Sequence, residues 1–211
     1  MNKKFKILLF WGLFASAAFA QPLNWGNREF EAKNVRAALV QLDGEEVLKV
    51  ERDLKKLPFD AGRLEATVDE PTYVKLKNIR LDNGVIEVKV LSRIQNPSPF
   101  EFARGFIGLA FRINDDDSAF EAIYLRPANG RAGNQMSRNR TVQYYAYPDF
   151  KFDRLRKEAP GRYETTAPVD TNEWITMRLE IQGEKAHLYI NDARHSTFVV
   201  DKMLGKTATG G

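Results

Sequence analysis

Residues 105–126 read GFIGLAFRINDDDSAFEAIYLR, and the spacing of their apolar side chains decides the fold class. In an extended chain Ile107, Leu109, Phe111 and Ile113 share one side, and Gly108, Ala110 and Arg112 share the other. After the polar turn NDDDS (114–118), Ile123 and Leu125 continue the apolar side, with Tyr124 and Arg126 opposite. This is a period of two, so the stretch predicts a pair of half-buried strands. The same alternation recurs on both sides of it. VIEVKVL (85–91) sets Ile86, Val88 and Val90 against Glu87 and Lys89, and DNG (82–84) predicts a tight hairpin linking it to YVKLKNIRL. RAALVQL and EEVLKVE flank Asp43-Gly44, WITMRLEI and KAHLYI flank QGE, and STFVV (196–200) makes a last short strand. The best helix candidate, FDRLRKEA (152–159), stops at Pro160-Gly161 after at most about two turns. Many short strands with Gly, Asn and Asp turns predict an all-β chain of two antiparallel sheets.

The ends bound where such a chain works. Lys3, Lys4 and Lys6, the apolar run ILLFWGLFASAAF and the small residues of AFA before Gln21 predict a signal peptide over 1–20. The apolar run is shorter than the roughly 18 residues of a spanning helix. The expected location is therefore periplasmic or secreted, with residues 21–211 forming a single domain and no membrane span once the leader is removed. Removing three leader lysines leaves 29 basic against 28 acidic residues, so no cationic surplus points to nucleic acid. There is no cysteine, which excludes thiolate metal sites, cysteine nucleophiles and disulfide staples.

Sorting side chains by face gives an outward set that differs from ordinary surface. It holds Arg112, Tyr124, Arg126, Gln143, Tyr145, Trp174, Arg178 and Tyr189, with Gly108 and Ala110 as a groove floor. Aromatic rings stack on the C–H faces of sugars, and Arg and Gln offer planar donors to hydroxyls or carboxylates. The loop at 128–141, with Asn129, Arg138 and Arg140, would form an adaptable rim. The alternative is that both sheet faces are covered and these residues are cross-strand and ion pairs. Glu121 falls on the apolar side, as a structural ion-pair partner or a candidate catalytic carboxylate. Asp115 and Asp117 could converge on Ca²⁺, although the turn lacks the full calcium-loop pattern, and no other cofactor is expected.

At GFIGLAFRINDDDSAFEAIYLRPANG, RNRTVQYYAYPDF, GRYE and EWITMRLEIQGEKAHLYIND, the chain resembles secreted bacterial members of the concanavalin A-like lectin/glucanase superfamily. These are laminin-G-like jelly rolls. The resemblance spans roughly residues 70–204, and a remoter likeness is to the keto-disaccharide hydrolase domain family. It implies a jelly-roll β-sandwich. Superfamily members often close with a Gly-x-Gly-Leu-Trp strand where this chain ends in KTATGG, so the last strands are expected to be missing. Retaining glucanases of the superfamily carry E-x-D-x-E on one strand, which sets two carboxylates about 5–5.5 Å apart. AFEAIYLR has one acid, and Ser-His-Asp chemistry lacks its G-x-S-x-G. The leading expectation is an exported module that binds oligo- or polysaccharide. The alternatives are a sugar-acting hydrolase on the same fold and an envelope domain with a protein partner.

Overall fold

The computed structural model describes residues 23–206 and Gly210. The expected leader, and residues 207–209 and 211 of the tail, lie outside the described residues. In chain order the strands begin with β1 (Leu23–Trp25), β2 (Arg28–Lys33), β3 (Val35–Leu42), β4 (Glu45–Arg52) and β5 (Tyr73–Leu76). They continue with β6 (Gly84–Leu91), β7 (Ile107–Phe111), β8 (Phe120–Leu125) and β9 (Val142–Tyr147). The last are β10 (Glu164–Thr165), β11 (Trp174–Gln182), β12 (Lys185–Ile190) and β13 (Phe198–Val200). Short helices α1 (Pro127–Gly130) and α2 (Gln135–Arg138) follow β8, and α3 (Phe152–Glu158) follows β9. Among the described residues, no helix is long and apolar enough to cross a membrane.

Two four-stranded antiparallel sheets, ordered β10-β9-β8-β7 and β13-β12-β11-β6, make the sandwich. Period-two patterning explains why they pack. On β11, Ile175, Met177, Leu179 and Ile181 are buried while Trp174, Thr176, Arg178 and Glu180 are half-buried on the other side. Ala186, Leu188 and Ile190 of β12 extend the same layer. Facing them in one core are Phe111, Ile123, Leu125, Val142, Tyr144 and Ala146. Each fully buried large apolar side chain contributes about 1.5–3 kcal/mol. A further sheet, β1-β2-β5, and the β3–β4 hairpin complete the chain. That hairpin turns at Asp43 and Gly44, both left-handed, which gives a tight two-residue connection.

One expected pairing is corrected. DNG does not join β5 to β6 as a hairpin, because β5 pairs with β2 while β6 pairs with β11 in register Ile86↔Leu179. The apolar side of β6 is needed by the sandwich core, so the chain changes sheets at residues 77–83.

The NDDDS turn is held by what sits behind it. The Asp117 carboxylate accepts from Lys75 Nζ (2.7 Å) and the Tyr73 hydroxyl (3.0 Å) and pairs with Lys33 Nζ (3.1 Å). Burial raises its pKa, but hydrogen bonds from Lys75, Lys33 and Tyr73 outweigh that, leaving the carboxyl below its ordinary value. A depressed folded pKa gives stability that is present above the unfolded value, near 3.9, and lost as pH falls through the folded one. Asp117→Asn is therefore expected to destabilise the protein at neutral pH. In urea unfolding measured from pH 7 downward, the gap to wild type should narrow below about pH 4.

Candidate functional site

The outer face of the β7–β10 sheet carries two of the aromatics read from the sequence, Tyr124 and Tyr145, but it is covered. Phe120, Tyr124, Tyr145 and Tyr147 project from it, linked ring to ring at 5.0–5.7 Å. Over them runs the segment 57–73. Tyr73 meets the Phe120 ring edge-on at 5.3 Å, and Glu70 accepts from the Tyr147 hydroxyl (3.0 Å) and pairs with Lys151. Asp69 accepts from the Phe152 backbone N–H (3.0 Å) and lies near the Tyr124 hydroxyl. Tyr145 is consequently 7 % exposed. Arg52 clips the segment from the other end by donating to the carbonyls of Leu57 (2.9 Å) and Thr67 (2.6 Å), its guanidinium 3.9 Å over the Phe59 ring. Phe59 stacks on Phe100, which approaches Phe106, and Phe106 lies 5.9 Å from Tyr124. Phe106 is 48 % exposed, so the aromatic row reaches water there.

Arg126 anchors this face. It enters at the end of β8 with 6 % exposure. One arm donates to the Arg140 carbonyl (2.9 Å) and faces Glu164 Oε1 at 3.5 Å. The other donates to the Tyr124 hydroxyl (2.6 Å) and Gln143 Oε1 (3.4 Å). Arg156, from α3, holds Glu164 from the opposite side, its Nε 2.9 Å from Oε2. Arg126 therefore fixes the Tyr124 hydroxyl near Asp69, with Glu164 held by two guanidiniums. Burial raises the Asp69 carboxyl above its ordinary range, against the Phe152 N–H, the charges of Arg126 and Lys151 and the Tyr124 hydroxyl. Burial likewise pushes the Tyr124 phenol up, and the nearby Asp69 charge adds to it. Tyr147 is raised to about 12 by burial and its bond to Glu70. Asp69 also adopts a left-handed backbone (φ 53°), a conformation uncommon outside glycine.

The structure brings Tyr124, Arg126, Gln143, Tyr145 and the Asn129–Arg140 corner together, and separates the rest. Gln143 is fully buried and donates to the carbonyls of Tyr144 (2.7 Å) and Tyr163 (3.1 Å), so it is not the surface donor expected. Asn129 Nδ2 lies 3.5 Å from the Arg140 carbonyl, and Arg138 is used within its own loop, donating to Ala132 O and Gln135 Oε1. Gly108 gives no open floor, since a Cβ there would meet the Ile123 carbonyl at 2.4 Å. Trp174 and Arg178 lie on the outer face of the other sheet, across the core. There Lys89 sits over Trp174 at 5.5 Å, and Arg178 over Tyr189 at 4.3 Å.

Arg112 requires a correction of side, whereas Glu121 lies on the apolar side as expected. Strict alternation places Arg112 outward, but its left-handed backbone (φ 52°) turns the side chain to the inner face. There it faces Glu121 at 3.7 Å and donates to the carbonyls of Asp82 (2.5 Å) and Gly183 (2.7 Å). Glu121 is 1 % exposed and accepts from the Tyr144 hydroxyl. A carboxylate between the sheets cannot reach a ligand on the outer face. The two calcium candidates also part: Asp117 turns to its lysines, while Asp115 is exposed and faces Arg80 at 3.2 Å. Among the described residues, no group of three or more His, Asp or Glu converges on a metal position.

Sequence reasoning missed Asp69, Glu70, Arg156 and Glu164. Comparison with protein-family models, with curated proteins and with solved structures gave no match.

Proposed function

We propose that the chain is an exported carbohydrate-recognition β-sandwich of concanavalin A-like type, with its saccharide seat on the outer face of the β7–β10 sheet. The reading rests on one observation. A half-exposed phenylalanine, Phe106, opens onto Tyr124 and the fixed guanidinium of Arg126. Stacking rings beside planar donors on a rigid sheet suit a sugar, whose faces are apolar and whose edges are hydroxyls. Hydrolysis through Glu121 is not part of the proposal, because that carboxylate is enclosed in the core.

A glycan array followed by calorimetry on the best binder tests it. Phe106→Ala is expected to weaken binding about tenfold, equivalent to about 1.4 kcal/mol. Trp174→Ala, on the opposite outer face, should leave it unchanged. The reverse pattern would move the seat to the other sheet, and a folded protein that bound no glycan would end the carbohydrate reading.

A further inference from the structure

The cover on the aromatic face is chemically unlike the face it covers. In residues 57–72, Pro71 alone is buried among the side chains described. At one end the segment is held by Arg52, which bonds two of its carbonyls and covers the Phe59 ring that stacks on Phe100; at the other it is held by polar contacts, Asp69 to the Phe152 N–H and Glu70 to Tyr147 and Lys151. A permanent cover for four aromatic rings would be expected to supply apolar side chains. Where it meets Tyr147 and α3, this one supplies two adjacent carboxylates, and desolvation there raises the pKa of the Asp69 carboxyl. Segments with few buried apolar contacts are the ones that open locally.

We propose that the strap 57–72 is a displaceable cover whose Asp69–Glu70 pair occupies the seat of a carboxylate-bearing saccharide of the uronate type. The inference rests on the carbohydrate reading above and names its ligand class. The groups that hold the strap's acids are those an acidic sugar needs: the Tyr147 hydroxyl and the Phe152 N–H as neutral donors, and Lys151 and Arg126 as the nearby cations. The Tyr145 and Tyr124 rings supply the stacking surface beneath, beside Phe120, which Tyr73 of β5 covers. The strap meets this place with carboxylates, Glu70 on the Tyr147 hydroxyl and Lys151 and Asp69 on the Phe152 N–H, so charge complementarity favours a ligand of the same charge.

The test uses the full chain with tetragalacturonate and, separately, a neutral cello-oligosaccharide of equal length, read by calorimetry and by amide hydrogen exchange. The uronate is expected to bind at least tenfold tighter and to speed exchange across residues 64–72, while β8 and β9 keep their protection. An Asp69→Asn/Glu70→Gln variant should show faster strap exchange and an affinity gain of about tenfold for the uronate. Equal binding of both saccharides with an undisturbed strap would overturn the inference while leaving the carbohydrate reading intact. So would faster strap exchange in the variant without any gain in affinity. If neither these oligomers nor any glycan on the array bound, both readings would fall. Should the variant not fold, the wild-type exchange pattern decides alone, and ligand-induced protection of 64–72 counts against displacement.

Discussion

Replacing Glu121 by alanine is expected to cost about 3–5 kcal/mol, the usual penalty for stripping one partner from a buried ion pair. The carboxylate sits between the two sheets at 1 % exposure, with Arg112 beside it at 5 % side-chain exposure. Its removal takes an acceptor from the Tyr144 hydroxyl, which in turn accepts from the Leu204 N–H at 2.6 Å. It also opens space against Gly205, whose missing Cβ lets Glu121 lie against the backbone. Glutamine in its place should cost less, and the difference carries a pH signature. Burial raises the Glu121 pKa, more than Tyr144, Arg112 and the Gly205 N–H lower it. For an acid whose folded pKa lies above its unfolded one, the native state holds the extra proton, and stability falls as pH rises through that window. The cost of Glu121→Gln should therefore be largest on the acid side and shrink as pH climbs above the ordinary glutamate range. Urea unfolding of both variants across pH checks this. A cost for Glu121→Gln that grew with pH would show that Arg112 makes the ionised form the favoured one.

What the sequence made legible follows from what a period of two reports. It reports which side of a strand is apolar, and β11 shows the result, with alternate residues buried along nearly its whole length. It does not report what lies over the second side. On β8, five of six residues are buried, because one face meets the core and the other meets the strap. The strap was invisible because polar groups hold it, and Asp69 and Glu70 look like any two acids before a proline. Periodicity also assumes an unbroken pleat, and the left-handed backbone at Arg112 breaks it, moving that side chain from the expected groove into the core. The turn signal DNG marked a real change of direction without revealing that the strands on either side belong to different sheets. Arg156 and Glu164 lie far from β8 in sequence, and no local pattern links them to Arg126. A hint was available in composition: a strand ending in arginine, on a chain whose charges nearly cancel, needs an acid somewhere close.

Arg126→Met is expected to lower stability by about 3–5 kcal/mol, and the lysine variant separates the reasons. Methionine fills much of the volume but supplies no donor. The Tyr124 hydroxyl, Gln143 Oε1 and the Arg140 carbonyl each lose a partner, and Glu164 keeps only Arg156. Lysine restores the charge opposite Glu164 but not the fork, since a single ammonium on a flexible stem cannot serve two acceptor directions as the planar guanidinium does. Its stability should fall between the two in thermal unfolding. If Arg126 served only to balance charge, the lysine variant would regain the proposed saccharide binding along with stability. If the guanidinium also fixes Tyr124 for ligand, Arg126→Lys would fold yet bind weakly, because the phenol it orients would no longer be held beneath Phe106. Stability recovered without binding thus assigns Arg126 to recognition, and both recovered together assign it to the scaffold.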